Sequence, residues 1–438
     1  MLVFAPLVRG GNRPLPLLVL ECLGLALLVA VAASRGPREA WSAMPATLRW
    51  GLAILVAVPL VQLVPLPASF WSALPGHEPY ARVLGTAGLE GARPISLHPR
   101  ATEYAALALI PPLAIFLAMP LFGRRQVRTL LLVFVGLAVA EAVLGILQTG
   151  AGRASLLQLG NPHAGAGATG TYVNRNHFAA LMAMALPPLV AIWAAETLPA
   201  RDARGDLLRG HPRHDDARLA RRIAWSIAVA LVLAALLFSR SRAGIGCGLA
   251  AFGATSLVLV WSAATIPVRV ALGAVAVVAL LLAAYAGLTP IVERFTPDNL
   301  SLGYEGRIRL AGATLRAGLD FLPFGSGLGT FGDVFQRYQG EGLDGYVDHA
   351  HNDYAEAFLE LGVAGVAVIA LFAAAILARW AVLARVVASR SLGVLQVAAG
   401  FSVLALAAHG AFDFNFHIPA NAIAFAFLAG VFFYEPRA

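Results

Sequence analysis

Apolar runs of spanning length follow one another along this chain, broken by shorter polar stretches. A helix that crosses a bilayer needs about 20 mainly apolar residues. Such runs are read at 14–33, 48–66, 104–122, 129–148, 178–197, 222–239, 244–263, 268–287, 354–378, 391–413 and 419–435. A membrane β-barrel would instead show short alternating strands. The pattern predicts an all-α polytopic membrane protein with eleven or twelve transmembrane helices. The twelfth is the moderately apolar opening stretch 1–13, read as an interfacial piece or a half-span. No small-residue cleavage site followed by a soluble domain is visible, so a cleavable leader is not expected.

The polar connections set an orientation. The chain contains no lysine, so every fixed positive side chain is arginine. Arg35, Arg38 and Arg49, then Arg124, Arg125 and Arg128, fall on one side if the spans alternate. The arginine-dense loop 198–222, Arg269, and Arg379, Arg385 and Arg390 fall there too. Basic connections stay cytoplasmic, which places the C-terminus in the cytoplasm. Eleven spans would leave the N-terminus outside despite Arg9 and Arg13, a conflict that the half-span would remove. The opposite, outer side receives 67–103, 149–177, 240–243, 288–353 and 414–418. The chain then divides into N-terminal helices over 1–164, with outer loop 67–103, and a second transmembrane block over 165–435. That block includes the long, partly helical outer loop 288–353.

Composition agrees. The chain is 59% hydrophobic and 13% charged, far from a soluble domain. Its net charge of +8 follows from topology, and no nucleic-acid partner is expected; the bilayer is. Cys22 and Cys247 both lie inside spans, so no disulfide framework or cysteine metal site is available.

Unusual chemistry collects at the outer face. The stretch His349-Ala-His351-Asn352-Asp353-Tyr354, followed by Glu356, Glu360, Gly362 and Gly365, puts two imidazoles, an amide and three carboxylates at a water edge. Ionisable groups there point to function. His349 and His351 beside carboxylates raise the question of zinc, but the third ligand is not readable. A histidine working near neutral pH as a general base suits the site better. Arg240 and Arg242 occupy a hairpin tip, either as snorkelling anchors or as bidentate phosphate ligands. Arg307 opens an amphipathic stretch, Arg307–Leu319, and is either a solvated surface group or a ligand. The glycine-rich run 323–331 lacks a Walker lysine and reads foremost as a structural turn. Asp413 and His409, four apart, are expected on one helix face, with an arginine or histidine neutralising the aspartate. Asn174-Arg175-Asn176-His177 is either a helix cap or a substrate contact.

These residues together resemble the O-antigen ligase and polymerase superfamily, bacterial inner-membrane glycosyltransferases that use undecaprenyl-diphosphate-linked glycans. The pattern His, then Asn, nine residues, then Gly-x-x-Gly is met by His351, Asn352, Gly362 and Gly365. The Ser-Arg hairpin tip is met by Ser241-Arg242-Ala243-Gly244, with Arg240 a competing position, and the Arg-led helix and glycine turn by Arg307 and 323–329. Asn174–His177 and Asp413–Asn421 are also familiar; the likeness covers about 165–430.

The resemblance implies transfer of a glycan from undecaprenyl diphosphate to an acceptor hydroxyl at the periplasmic face. Catalysis would rest on His351, Arg242 and Arg307, and substrate binding on Arg240, Arg175, Asn176, His349, Asn352, Asp353 and Asp413. It implies no cofactor, no metal, and inversion at the anomeric carbon. The acceptor stays open: lipid A–core for a ligase, another lipid-linked glycan for a polymerase, or a protein hydroxyl for an oligosaccharyltransferase. A transporter of an anionic lipid or polysaccharide is the rival from another class. It should show ionisable groups along a path through the membrane, where only Glu21 and Glu141 stand out.

Overall fold

A computed structural model describes residues 1–34, 41–42, 44–89, 91–165, 167–197, 212–263, 270, 273–274, 297–340, 345–386 and 391–435. Among these the only strands are the pair Pro65–Leu66 and Arg93–Pro94, antiparallel with Pro65 opposite Pro94. The helices that frame the molecule are α1 Pro14–Ala33, α2 Ala46–Gln62, α3 Pro99–Ala108, α4 Ile110–Ala118 and α5 Arg124–Gly150. Then come α6 Arg175–Thr197, α7 Pro212–Phe238, α8 Arg242–Ala263 and α9 Pro297–Asp320. The last are α10 Asp353–Leu361, α11 Val363–Val386, α12 Ser391–Gly410 and α13 Pro419–Phe432. Among the described residues, eight helical segments are long and apolar enough to span a membrane, counting Pro99–Leu121 as one; α2 and α13 are shorter apolar helices. The protein is thus an all-α polytopic membrane protein. All but three residues of the span expected at 268–287, the loop residues 198–211 and the loop start 288–296 lie outside the described residues.

The centre of the bundle is α6. Over its apolar window 94% of residues are buried, against 17% for α1 at the edge. A helix apolar on every side has no solvent face to offer and is enclosed by others. It packs against α7, α8 and α12. Close approach is possible because Gly244 and Gly248 of α8 lie against Ala179 and Ala183 of α6, the small-residue packing of membrane helices. Around this centre α1 and α13 meet α4, α2 meets α11, and α5 meets α7.

Four details differ from the apolar pattern. The run 354–378 is not one helix: α10 ends at Leu361 and α11 begins at Val363. Gly362 between them has φ 58°, and a Cβ there would overlap the Pro323 carbonyl. Apolar residues continue across this break, so hydrophobicity alone cannot reveal it. The run 391–413 ends its helix at Gly410; Asp413 therefore stands in the turn beyond it and not on the helix face of His409. Arg307 sits within α9, which begins ten residues earlier at Pro297. The opening residues form a four-residue helix, Phe4–Leu7, and a 3-10 turn, Arg9–Gly11. They are not a half-span: Thr171 Oγ1 donates to the Pro6 carbonyl and Gly11 rests on Pro419, at the end of the bundle that carries the histidines.

Candidate functional site

The site is built where four separate segments meet at one end of the bundle. The first is the start of α10. Asn352 caps it, its side-chain oxygen accepting from the N–H groups of Tyr354 and Ala355 at 3.1 and 3.0 Å, which satisfies otherwise unpaired donors. The same amide donates to the Ala411 carbonyl at 3.0 Å and so ties α10 to the turn after α12. Tyr354 adds a hydroxyl bond to the Ala407 carbonyl. The glycine-rich turn braces the other end of α10: Ser326 N–H and Gly327 N–H donate to the carbonyls of Leu359 and Glu360, both at 3.0 Å. Gln62 of α2 joins both elements, donating to Glu360 and Phe324 carbonyls and accepting from Leu328 N–H. The turn is a scaffold for α10.

His351 precedes the cap with a left-handed φ of 48°. Its Nδ1 lies 3.0 Å from Asp413 Oδ1. Asp413 is fully buried. Its second oxygen, Oδ2, lacks a hydrogen bond and faces Arg307 at 4.0 Å. Arg307 also donates to the Phe412 carbonyl at 2.6 Å. Burial acts to raise the Asp413 carboxyl, but the His351 bond and the Arg307 charge outweigh it and hold the group well below its usual range. His351 and Arg307 side chains remain 33% and 34% exposed. Among the described residues nothing partners His351 Nε2. The arrangement therefore offers an oriented imidazole with one open nitrogen, and an open guanidinium beside it.

Behind this pair lies a second network, its carboxylates buried. His349 stacks on Phe414, centroids 4.1 Å apart, and its Nδ1 lies 2.8 Å from Glu356 Oε1. Glu356 also accepts from Ala350 N–H at 2.8 Å. His417 reaches Asp353 with Nδ1 at 3.1 Å and Glu356 with Nε2 at 3.2 Å. Both its nitrogens face carboxylates, so both carry protons. Burial alone would lower the imidazole; Glu356 and Asp353 outweigh it and raise His417 to about 10. Burial raises Asp353 to about 6 and Glu360 to about 7. For Glu356, burial is outweighed by the His417 charge and the bonds from His349 and Ala350, and its carboxyl is lowered. His349, Glu356 and His417 have ligand atoms within 4.8 Å of one another and could hold a metal ion. Glu356 bonds both imidazoles, at 2.8 Å to His349 and 3.2 Å to His417, and the two rings lie beside each other with centroids 4.8 Å apart.

Phe414 is the hub between the two groups. His177 and His351 meet its ring at 4.7 and 5.0 Å, and His349 covers its face. Of the residues singled out in the sequence, His349, His351, Asn352, Asp353, Arg307 and Asp413 thus come together. Asn174, not Asn176, caps α6, accepting from Asn176 N–H at 2.8 Å; Arg175 is the first helical residue, two before His177. Arg242 opens α8 and Arg240 sits in the preceding turn at φ 54°. Ala168 N–H bonds the Phe238 carbonyl, and Gly244 lies against Ala179 near the start of α6. Both arginines therefore share the histidine end of the bundle. His417 and Phe414 were not chosen from the sequence as site residues, and Glu356 and His177 were noted there only within their clusters. For His417 and Phe414 the available signal was the interleaving of aromatic and polar residues in 412–417.

Residues 227–370 match the family model described as O-antigen ligase. The match supports membership of the O-antigen ligase and polymerase superfamily. Within the matched segment fall Arg240, Arg242, Arg307, His351, Gly362 of the α10–α11 break and Gly365 of α11. Asp413 and His417 lie beyond it. No curated protein matches the chain. The helices describe a multi-pass membrane protein, and the family match covers residues 227–370 of it.

Proposed function

We propose that this protein transfers a glycan from an undecaprenyl-diphosphate carrier to an acceptor hydroxyl, in the manner of an O-antigen ligase, at the periplasmic face of a bacterial inner membrane. The observation that carries the proposal is the buried Asp413 carboxylate holding His351 from behind, with Arg307 open beside it.

In this mechanism His351 Nδ1–H donates to Asp413, which leaves Nε2 to accept a proton. The acceptor hydroxyl gives its proton to Nε2 as its oxygen attacks the anomeric carbon. The bond from that carbon to the diphosphate oxygen breaks, and the electron pair leaves with the lipid diphosphate. Arg307 and Arg242 take up the charge that develops there by charge-assisted hydrogen bonds. Single displacement inverts the anomeric centre and requires no metal. Arg240, Arg175 and Asn176 bind the substrates, and His349, Asn352 and Asp353 hold His351 and its turn in place.

The test is transfer by purified protein in nanodiscs, with EDTA present and lipid-diphosphate-linked glycan as donor. Product on lipid A–core, absent with His351→Ala, supports the ligase reading. Longer lipid-linked chains from donor alone would make the protein a polymerase, and transfer to a protein hydroxyl an oligosaccharyltransferase. Absence of all three products from properly folded protein rejects the proposal.

A further inference from the structure

A polar depression beside the histidine end plays no part in the chemistry above. The N-terminal turn folds over the start of α13 and the loop before α6, and two clefts open there, of about 310 and 90 Å³. Arg9, Arg13, Tyr172 and Val173 wall both, so the clefts are two lobes of one depression. The larger lobe adds Gln158, Asn161 and Thr171; the smaller adds Asn12, Asn174 and His177. Among the described residues no carboxylate lines either lobe. Glu141 lies behind the wall, 2% exposed and bonded to Thr171 N–H and Oγ1.

Two features show a prepared site. Arg9 is held in place, donating to the Leu159 carbonyl at 3.2 Å from a left-handed backbone of φ 54°. The Arg13 guanidinium, in contrast, has no hydrogen bond or ion pair among the described residues. His177 lines the inner lobe, is 5% exposed, and its Nε2 lacks a partner. Its ring meets Phe414, which in turn meets His351. The depression and the reacting histidine are therefore one phenyl ring apart. Gln158, Asn161 and Thr171 spend their donors on carbonyls within the protein, so the ligand-binding chemistry of the depression lies in its two guanidiniums, which suit a phosphate ester.

We propose that this depression binds the phosphate of a phosphorylated saccharide, which then offers its hydroxyl to His351 as the acceptor. Its role as acceptor rests on the proposed transfer reaction; its binding does not. A phosphate ester could also reach the cleft as a lipid headgroup, and the test separates the two.

Full-length protein in a polyoxyethylene detergent, which carries neither phosphate nor sugar, is titrated against glucose 6-phosphate by ³¹P line broadening. Wild type is expected to bind saturably, Arg13→Gln about tenfold more weakly, and Arg13→Lys closer to wild type. His351→Ala should bind as wild type does. Glucose, followed by proton saturation transfer, should bind at least about tenfold more weakly than its phosphate. Unchanged glucose 6-phosphate binding in Arg13→Gln overturns the proposal. So does a result in which Arg13→Gln loses only bound phosphatidylglycerol by native mass spectrometry, since the arginine is then a lipid anchor. If Arg13→Gln loses the phosphate while wild type transfers glycan to no acceptor, the binding site stands and the acceptor role falls with the transfer reaction.

Discussion

His351 and Asp413 are 62 positions apart in the chain and 3.0 Å apart in space. Replacing His351 with Ala removes the proposed base and is expected to lower transfer about 10²–10⁴-fold, with membrane levels unchanged. Asp413→Asn presents an amide where a carboxylate held the imidazole, so kcat should fall toward that of His351→Ala while donor KM changes little. Steady-state rates with purified protein check both. His417 makes a different prediction, about stability. Its proton is bound more tightly in the folded state, from 6.5 to about 10, so its contribution is whole below pH 6.5 and is lost as pH rises through 10. His417→Gln strands two buried carboxylates and should cost about 3 kcal/mol, the low end of the range because the side chain is 29% exposed. The melting-temperature gap between wild type and His417→Gln should close as pH rises from 6.5 to 10. A gap independent of pH would mean that His417 acts through packing.

At the scale of elements, the spacing His-Asn-x9-Gly-x-x-Gly has a mechanical reading. Asn352 starts α10, nine residues make the helix, and Gly362 ends it at a positive φ where only glycine avoids the Pro323 carbonyl. Gly365 then lets α11 pass the Ala357 carbonyl. Gly362→Ala should destabilise the fold by about 1–3 kcal/mol and lower transfer, because α10 carries the cap of the His351 turn. Gly312→Ala in α9 is the contrast: its nearest neighbour is the flexible end of Arg316 at 3.7 Å. There the loss of backbone freedom in the unfolded chain should stabilise by roughly 0.4–1 kcal/mol. Thermal unfolding of the two variants side by side tests whether the motif glycine is conformational. The sequence already held the pieces of this element, but the break within an unbroken apolar run was invisible to hydropathy.

At the scale of the molecule, the two ends differ in chemistry. One end gathers Arg307, the histidines and their carboxylates. At the other, Arg379 donates to the Phe432 and Tyr434 carbonyls and pairs with Glu435 at 2.9 Å. On the proposed topology, with arginine biased toward the cytoplasm, these ends face opposite sides of the membrane. In a background lacking Cys22 and Cys247, a cysteine at Tyr346 should label from the periplasm and one at Glu435 only after permeabilisation. Labelling of both from one side would contradict the assigned topology.

The amino-acid sequence by itself determined the membrane class and most of the spans, because burial in lipid demands long apolar runs whatever their neighbours. It also marked His351, Asn352, Asp353 and Asp413 as chemically out of place near lipid. It could not pair them. Asp413 looked like the helical neighbour of His409 until the turn after Gly410 delivered it to His351 and Arg307 instead. Nor could it show that Phe414 would collect three imidazoles around one ring, or that the N-terminal arginines would wall a cleft beside His177. Hydropathy is a local property summed over one segment, whereas a site assembled from α6, α9, α10 and the turn after α12 depends on contacts between segments. Only the packed bundle, with α6 enclosed at its centre, decides those.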